Sequence, residues 1–174
     1  SPDGLDIAWD AATHTWAVVW SQWPSDSSEA PLMLRRVAAD GSPIGPGPER
    51  LSDDPDPEDP RWDELPVVTV TSAGEVRAFV WSGDNTTGAY EVGLLRADAT
   101  GARLGSRILV TPFDGLWQAY PQVASDGARQ LVAFNDATAG SLEVGAVLVD
   151  ESALPGALVP LTSGHIPGNT YSTF

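Results

Sequence analysis

The chain has 174 residues, of which 42% are apolar, and carries 24 acidic side chains against nine basic ones, all arginine, for a net charge of −15. That balance excludes recognition of nucleic acid through phosphates, which needs clustered cations to release counterions. The absence of cysteine excludes disulfides, cysteine-ligated zinc and thiol catalysis, and no apolar run approaches the roughly 20 residues that insert across a bilayer.

Taken in order, the chain is a succession of short β-like runs separated by Gly, Pro, Asp and Ser, with no helix-period stretch. LDIAWD begins at residue 5, TWAVVW spans 15–20, LRRVAADGSPIG spans 34–45 and ERLS spans 49–52. The pattern then repeats as LPVVTVTS from Leu65, VRAFVW ending at Trp81, LLRADATGARLG over 94–105 and RILVT over 107–111. A third copy reads YPQVASD from Tyr120, LVAF ending at Phe134, VLVDESALPG over 147–156 and LVPLT over 158–162. Trp20, Trp81 and Phe134 are read as equivalent residues packing between repeats. The expected division is residues 1–64 for the first unit with its acidic, Pro-rich connection, 65–119 for the second, and 120–174 for the third with the start of a following strand.

Four strands per unit at a period near 50 predict an all-β fold made of β-propeller blades, three repeats of four antiparallel strands that form an incomplete ring. Pro121, Val123, Asp126, Gly127, Phe134, Asp136, Glu143 and Asp150 carry the pattern best, and on them the chain resembles the propeller-like repeats of large secreted or surface-attached bacterial proteins. The resemblance implies an extracellular, cell-surface or periplasmic location, and it specifies a fold with no activity attached. The chain begins Ser1-Pro2, and Tyr171 aligns with Tyr120, so it reads as three whole blades bounded by blade edges. Closed propellers have four to eight. The expected partner is therefore another protein or a second copy that completes the ring.

On this assignment, the loops between second and third strands share a rim with the connections between blades. That rim holds half of the 24 acids and one of the nine arginines, Arg61. Trp23, Trp62 and Trp117 lie on it beside Asp26, Asp84, Asn85, Asn135 and Asp136, a mixture suited to stacking on sugars and bonding their hydroxyls, or to capturing cationic segments. The run from Asp53 to Pro60 invites a calcium reading, but its prolines hold the carboxylates apart where calcium needs converging oxygens. No cofactor is expected. His14 and His165 fall on separate loops, which gives neither a metal pair nor a catalytic triad.

Three functional readings follow. The first is a non-catalytic binding or assembly module, part of a larger or oligomeric propeller that engages a protein. The second is a lectin-like glycan binder using Trp23, Asp26, Trp62, Asp84, Asn85, Trp117, Asn135 and Asp136. The third is a glycoside hydrolase-like enzyme with carboxylates among Asp6, Asp10 and Asp126. The absence of a catalytic constellation favours the first, with no enzymatic activity.

Overall fold

A computed structural model describes residues 2–23, 30–52, 61–84, 90–111, 117–137 and 143–162, with the backbone alone at Pro2, Asp3, Arg61 and Asp84. The described residues form twelve strands in three separate four-stranded sheets. The first sheet contains β1 (Pro2–Asp10), β2 (Thr15–Gln22), β3 (Leu32–Ala38) and β4 (Glu49–Arg50). The second contains β5 (Arg61–Val70), β6 (Val76–Asp84), β7 (Tyr90–Ala97) and β8 (Ile108–Leu109). The third contains β9 (Gln118–Ser125), β10 (Gln130–Asp136), β11 (Glu143–Val149) and β12 (Val159–Pro160). Every pairing is antiparallel between consecutive strands. Each sheet is one blade, as the fourfold grouping of strands predicts.

The blades stack because both faces of each sheet are apolar. Ala17, Val19, Leu32 and Leu34 of blade 1 meet Val76, Ala78, Val80 and Leu95 of blade 2 in one buried cluster. The opposite face of blade 2, with Phe79, Val92 and Leu94, meets Val132, Phe134, Val147 and Val149 of blade 3. A sheet buried on both faces has no polar side to alternate with, which is why β7 reads as an almost continuous apolar run.

Turn chemistry fixes the hairpins. Asp10 accepts hydrogen bonds from the Ala12 amide at 2.9 Å and the Thr13 hydroxyl at 2.7 Å, and the turn closes with His14 at φ 53°. Asp126 accepts from the amides of Ala128 and Arg129 in the same way. Such side-chain caps substitute for backbone partners in tight turns. Asp40-Gly41 and Asp126-Gly127 form turns, the two glycines standing at φ 88° and 93°.

The register corrects one expected equivalence. The bridges Val37 to Pro43, Ala97 to Arg103 and Val149 to Pro155 mark the same place in each blade. Their ladder partners on the second strands are Trp16, Val76 and Gln130. Counting on from these, Trp20 and Phe134 correspond to Val80, while Trp81 corresponds to Ser21 and Asn135. Trp81 therefore lies on the opposite face of its sheet. Phe134 is buried as expected, whereas Trp20 and Trp81 are half-buried. Hairpins of unequal length allow this slip, and one residue of slip reverses the face.

The innermost strands of the three blades are β1, β5 and β9, and all three kink. The ladder slips between Asp3 and Leu5, between Glu64 and Val67, and on β10 between Ala133 and Asn135, opposite Tyr120. At each slip sits a residue with positive φ: Gly4 at 63°, Leu65 at 47° and Tyr120 at 55°. A Cβ at Gly4 would lie 3.0 Å from the Leu65 backbone, so the first two inner strands approach each other as closely as a glycine permits. Leu65 and Tyr120 each precede a proline, a position that already disfavours helical conformations. Three aligned bulges, two of them strained at non-glycine residues, mark the level where the inner strands are re-aimed.

Candidate functional site

At that level, five rings meet where blades 2 and 3 join. Trp62 on β5 lies 6.1 Å from Tyr90 on β7, and Tyr90 lies 5.0 Å from Trp81 on β6. Trp81 is 5.3 Å from Tyr120 on β9 and 6.0 Å, edge-on, from Trp117. The ladder explains the grouping: Trp62 pairs with Gly83, Gly83 with Tyr90 and Glu64 with Trp81, so all four side chains share one face of blade 2. Gly83 leaves the room that the Trp62 ring fills, since a Cβ there would stand 2.3 Å from the indole nitrogen. Trp117 bridges to Tyr90 from blade 3.

The row ends in solvent. Tyr120 is 45% exposed, and its left-handed backbone turns the ring onto the edge of the cluster. Among the described residues, the buried Trp81 indole N–H finds no acceptor. Beside the rings, Gln118 donates to Asp136 at 3.4 Å, both nearly fully buried. Ring faces flanked by carboxylates, a carboxamide and an unused N–H form a surface able to stack on a sugar and bond its hydroxyls.

The carboxylates of the inner strands differ in their fates. Asp6 on β1 accepts the Val68 amide of β5 at 2.8 Å and joins the two inner strands. Asp63 on β5 is buried and held by Arg107 through both oxygens, with the Ser52 hydroxyl as a further donor. Asp10 is buried against Arg36 at 2.9 Å. Burial opposes the ionisation of Asp10, but the hydrogen bonds from Thr13 and Ala12 and the Arg36 charge outweigh it and hold the carboxyl below its ordinary range. Asp126 is pulled down to about 2, chiefly by the Arg129 amide, then by the Ala128 amide and the Arg129 side chain. Asp10 and Asp126 are thereby turn residues, whereas Asp6 and Glu64 stand on the neighbouring inner strands β1 and β5.

Of the residues expected to bind ligand, Trp62, Trp117 and Asp136 come together here. Asn135 points to the other face of blade 3, since Asp136 shares a face with Phe134. Trp23, just past β2, belongs to blade 1 and is half-buried. Asp84 ends β6 opposite Arg61, while Asn135 and Asp136 pair within β10. Asp26 and Asn85 lie outside the described residues, as do His165, Tyr171 and the acidic run from Asp53 to Pro60. Trp81, Tyr90, Tyr120 and Glu64 are the members that sequence reading missed. Among the described residues, no group of three or more His, Asp or Glu side chains is disposed to hold a metal. The rim is also less uniformly acidic than its sequence suggests, because Arg107 reaches into it from the β7–β8 connection.

No protein-family model matches the chain, and no curated protein matches it by sequence. Solved structures do match it. An exo-β-1,3-galactanase from Clostridium thermocellum superposes with a TM-score of 0.58 at 11% identity, covering 90% of this chain and 34% of that one. A β-1,3-galactosidase of glycoside hydrolase family 43, solved with galactodeoxynojirimycin, gives 0.57 at 10% identity, covering 90% and 56%. A thermostable family-43 glycoside hydrolase gives 0.57 at 13% identity, covering 97% and 60%.

The fold is that of a β-propeller. These neighbours are five-bladed propellers, and the chain spans a third to three-fifths of their length as an incomplete propeller. The resemblance to repeats of surface-attached proteins thus holds at the level of the blade, without a matching repeat family. The comparisons overturn the preference for a non-catalytic assembly module without enzymatic activity. The folds that match are those of glycoside hydrolases, at 10–13% identity. The sequence favoured the non-catalytic reading because it offers no catalytic constellation.

Proposed function

We propose that the chain is the carbohydrate-engaging part of a glycoside hydrolase-like propeller, with its sugar on the aromatic row at the junction of blades 2 and 3. The likeness of its three blades to galactan- and galactoside-cleaving propellers supports this reading, and the solvent-facing Tyr120 beside Trp117 and Trp81 supports the location. Glycoside hydrolysis requires one carboxyl to protonate the leaving oxygen and a second to activate water or attack the anomeric carbon. Asp6 and Glu64 are the pair proposed for these roles. The bulges at Gly4 and Leu65 adjoin both, and they re-aim the strands that carry them. Tyr120, Trp117 and Trp62 provide the stacking surface, with Asp136 and Gln118 as hydroxyl partners.

The test is release of reducing sugar from β-1,3-galactan, β-1,3-galactosides and arabinan by the full chain. Glu64→Gln and Asp6→Asn are expected to abolish release with the fold intact by circular dichroism. Tyr120→Ala is expected to raise KM with a smaller effect on kcat. Absence of release from all three substrate classes, or release that survives both carboxylate substitutions, overturns the assignment.

A further inference from the structure

Among the described residues, the two outermost sheet faces of the stack are apolar and uncovered. Of the twelve large hydrophobic side chains exposed among the described residues, eight lie on these two faces. Leu5, Ile7 and Trp9 of β1 stand on the front of blade 1, where Ile7 pairs with Val18 and Trp9 with Trp16. Leu131, Leu148, Leu154, Val159 and Leu161 stand on the back of blade 3. Two thirds of the exposed large apolar side chains of the described residues gathered in two patches mark surfaces suited to being covered.

The two faces are the two halves of one kind of contact. By the equivalence Trp16, Val76, Gln130, the front of blade 1 corresponds to the fronts of blades 2 and 3, which are buried against the blade before them. The back of blade 3 corresponds to the backs of blades 1 and 2, which are buried against the blade after them. The shapes are opposed as well. The front of blade 1 bears Trp9, Trp16 and Trp20, whereas the back of blade 3 encloses a hollow of about 540 Å³ lined by Leu131, Ala146, Leu148, Leu154 and Val159.

The gripping residues also change at this boundary. On the back of blade 1, Arg36 donates to the carbonyls of Gly74 and Ala99 in blade 2. On the back of blade 2, Arg77 donates to the carbonyls of Asp150 and Glu151 in blade 3. The positions matching Arg36 and Arg77 in blade 3 are Leu148 and Leu131. An apolar back face has no guanidinium to seat, so it fits a bulky apolar front such as that of blade 1. Charge is complementary too, with Arg35 on the front beside Val18 and Asp150 at the edge of the hollow.

We infer that the front of blade 1 docks onto the back of blade 3 of a second copy of this chain, the two copies joining head to tail. A pair related by a twofold axis forms this contact twice and closes a ring of six blades, within the range that closed propellers adopt. The inner strands β1, β5 and β9 of each copy would then line a shared axis.

Light scattering on the full chain, whose mass is 18.3 kDa, is expected to give twice that mass at micromolar concentration. Ile7→Glu on the front and Leu148→Glu on the back alter exposed side chains only. Each is expected to shift the chain to monomer with unchanged circular dichroism. Mixing the two variants is expected to restore dimers, because one intact front then meets one intact back. A wild-type chain that stays monomeric overturns the inference. So does a dimer lost with Ile7→Glu but kept with Leu148→Glu, which would indicate front-to-front contact. Failure of the mixture to recover dimers overturns it as well. These readouts do not depend on any hydrolytic activity.

Discussion

Arg107 holds Asp63 through both carboxylate oxygens, at 2.7 and 2.8 Å, and so fastens the β7–β8 connection to the inner strand of its own blade. The same guanidinium donates to the Ser82 hydroxyl oxygen at 2.6 Å, while the Ser21 hydroxyl of blade 1 donates to the Asp63 carbonyl. Both charges are almost completely buried. Removing one partner leaves an uncompensated charge in a site that water cannot reach. Arg107→Ala is therefore expected to destabilise the chain by about 3–5 kcal/mol, read from denaturant unfolding, with the paired Arg107→Leu, Asp63→Leu variant more stable than the Arg107→Ala single.

Gly83 sits beneath the Trp62 indole with no room for a methyl group. Gly83→Ala is expected to push Trp62 off Tyr90 at a cost of about 1–3 kcal/mol, the usual penalty for overpacking. Near-ultraviolet circular dichroism should lose intensity from the coupled rings while the far-ultraviolet spectrum is retained. An unchanged aromatic spectrum would show that the ring row does not depend on this glycine.

Gly4 combines a φ of 63° with close backbone contact to Leu65 and Pro66. Gly4→Ala is expected to lower stability by about 1–3 kcal/mol, because the new Cβ meets both left-handed strain and neighbouring backbone. The loss should appear in thermal unfolding. If the aligned bulges position the carboxylates, it should also lower kcat on any substrate that the chain hydrolyses.

The acid limb of stability should report the turn aspartates. Asp126 ionises at about 2 in the folded chain against an ordinary value of 3.8, and Asp10 is also held below that value. A carboxyl whose folded pKa is depressed stabilises the fold above the unfolded pKa, and this contribution is lost as pH falls through the folded value. Unfolding midpoints are therefore expected to decline from pH 3.8 towards pH 2. Asp126→Asn should flatten that decline, and a slope identical to wild type would remove Asp126 as a contributor.

The blade repeat was legible in the sequence because each strand buries apolar residues and each turn needs Asp or Gly, and both requirements are local. Phe134, Asp40-Gly41 and Asp126-Gly127 behave as their neighbours along the chain imply. The site was legible only in part. Trp62, Trp117 and Asp136 stood out by composition, but Tyr90 and Tyr120 read as ordinary strand residues. Their importance arises from a ladder that lays Tyr90 beside Trp81 and from a bulge that swings Tyr120 across from the next blade.

The sequence by itself determined that this chain makes three antiparallel blades, since the spacing of apolar runs and turn residues admits little else. Tertiary structure decided which face each side chain occupies, because one residue of difference in hairpin length moves Trp81 to the side opposite Trp20. It also decided that Asp10 and Asp126 are committed to turns, that Asp63 is committed to an ion pair, and that Asp6 joins two inner strands. Those outcomes depend on contacts between residues tens of positions apart, set by how closely the inner strands pack.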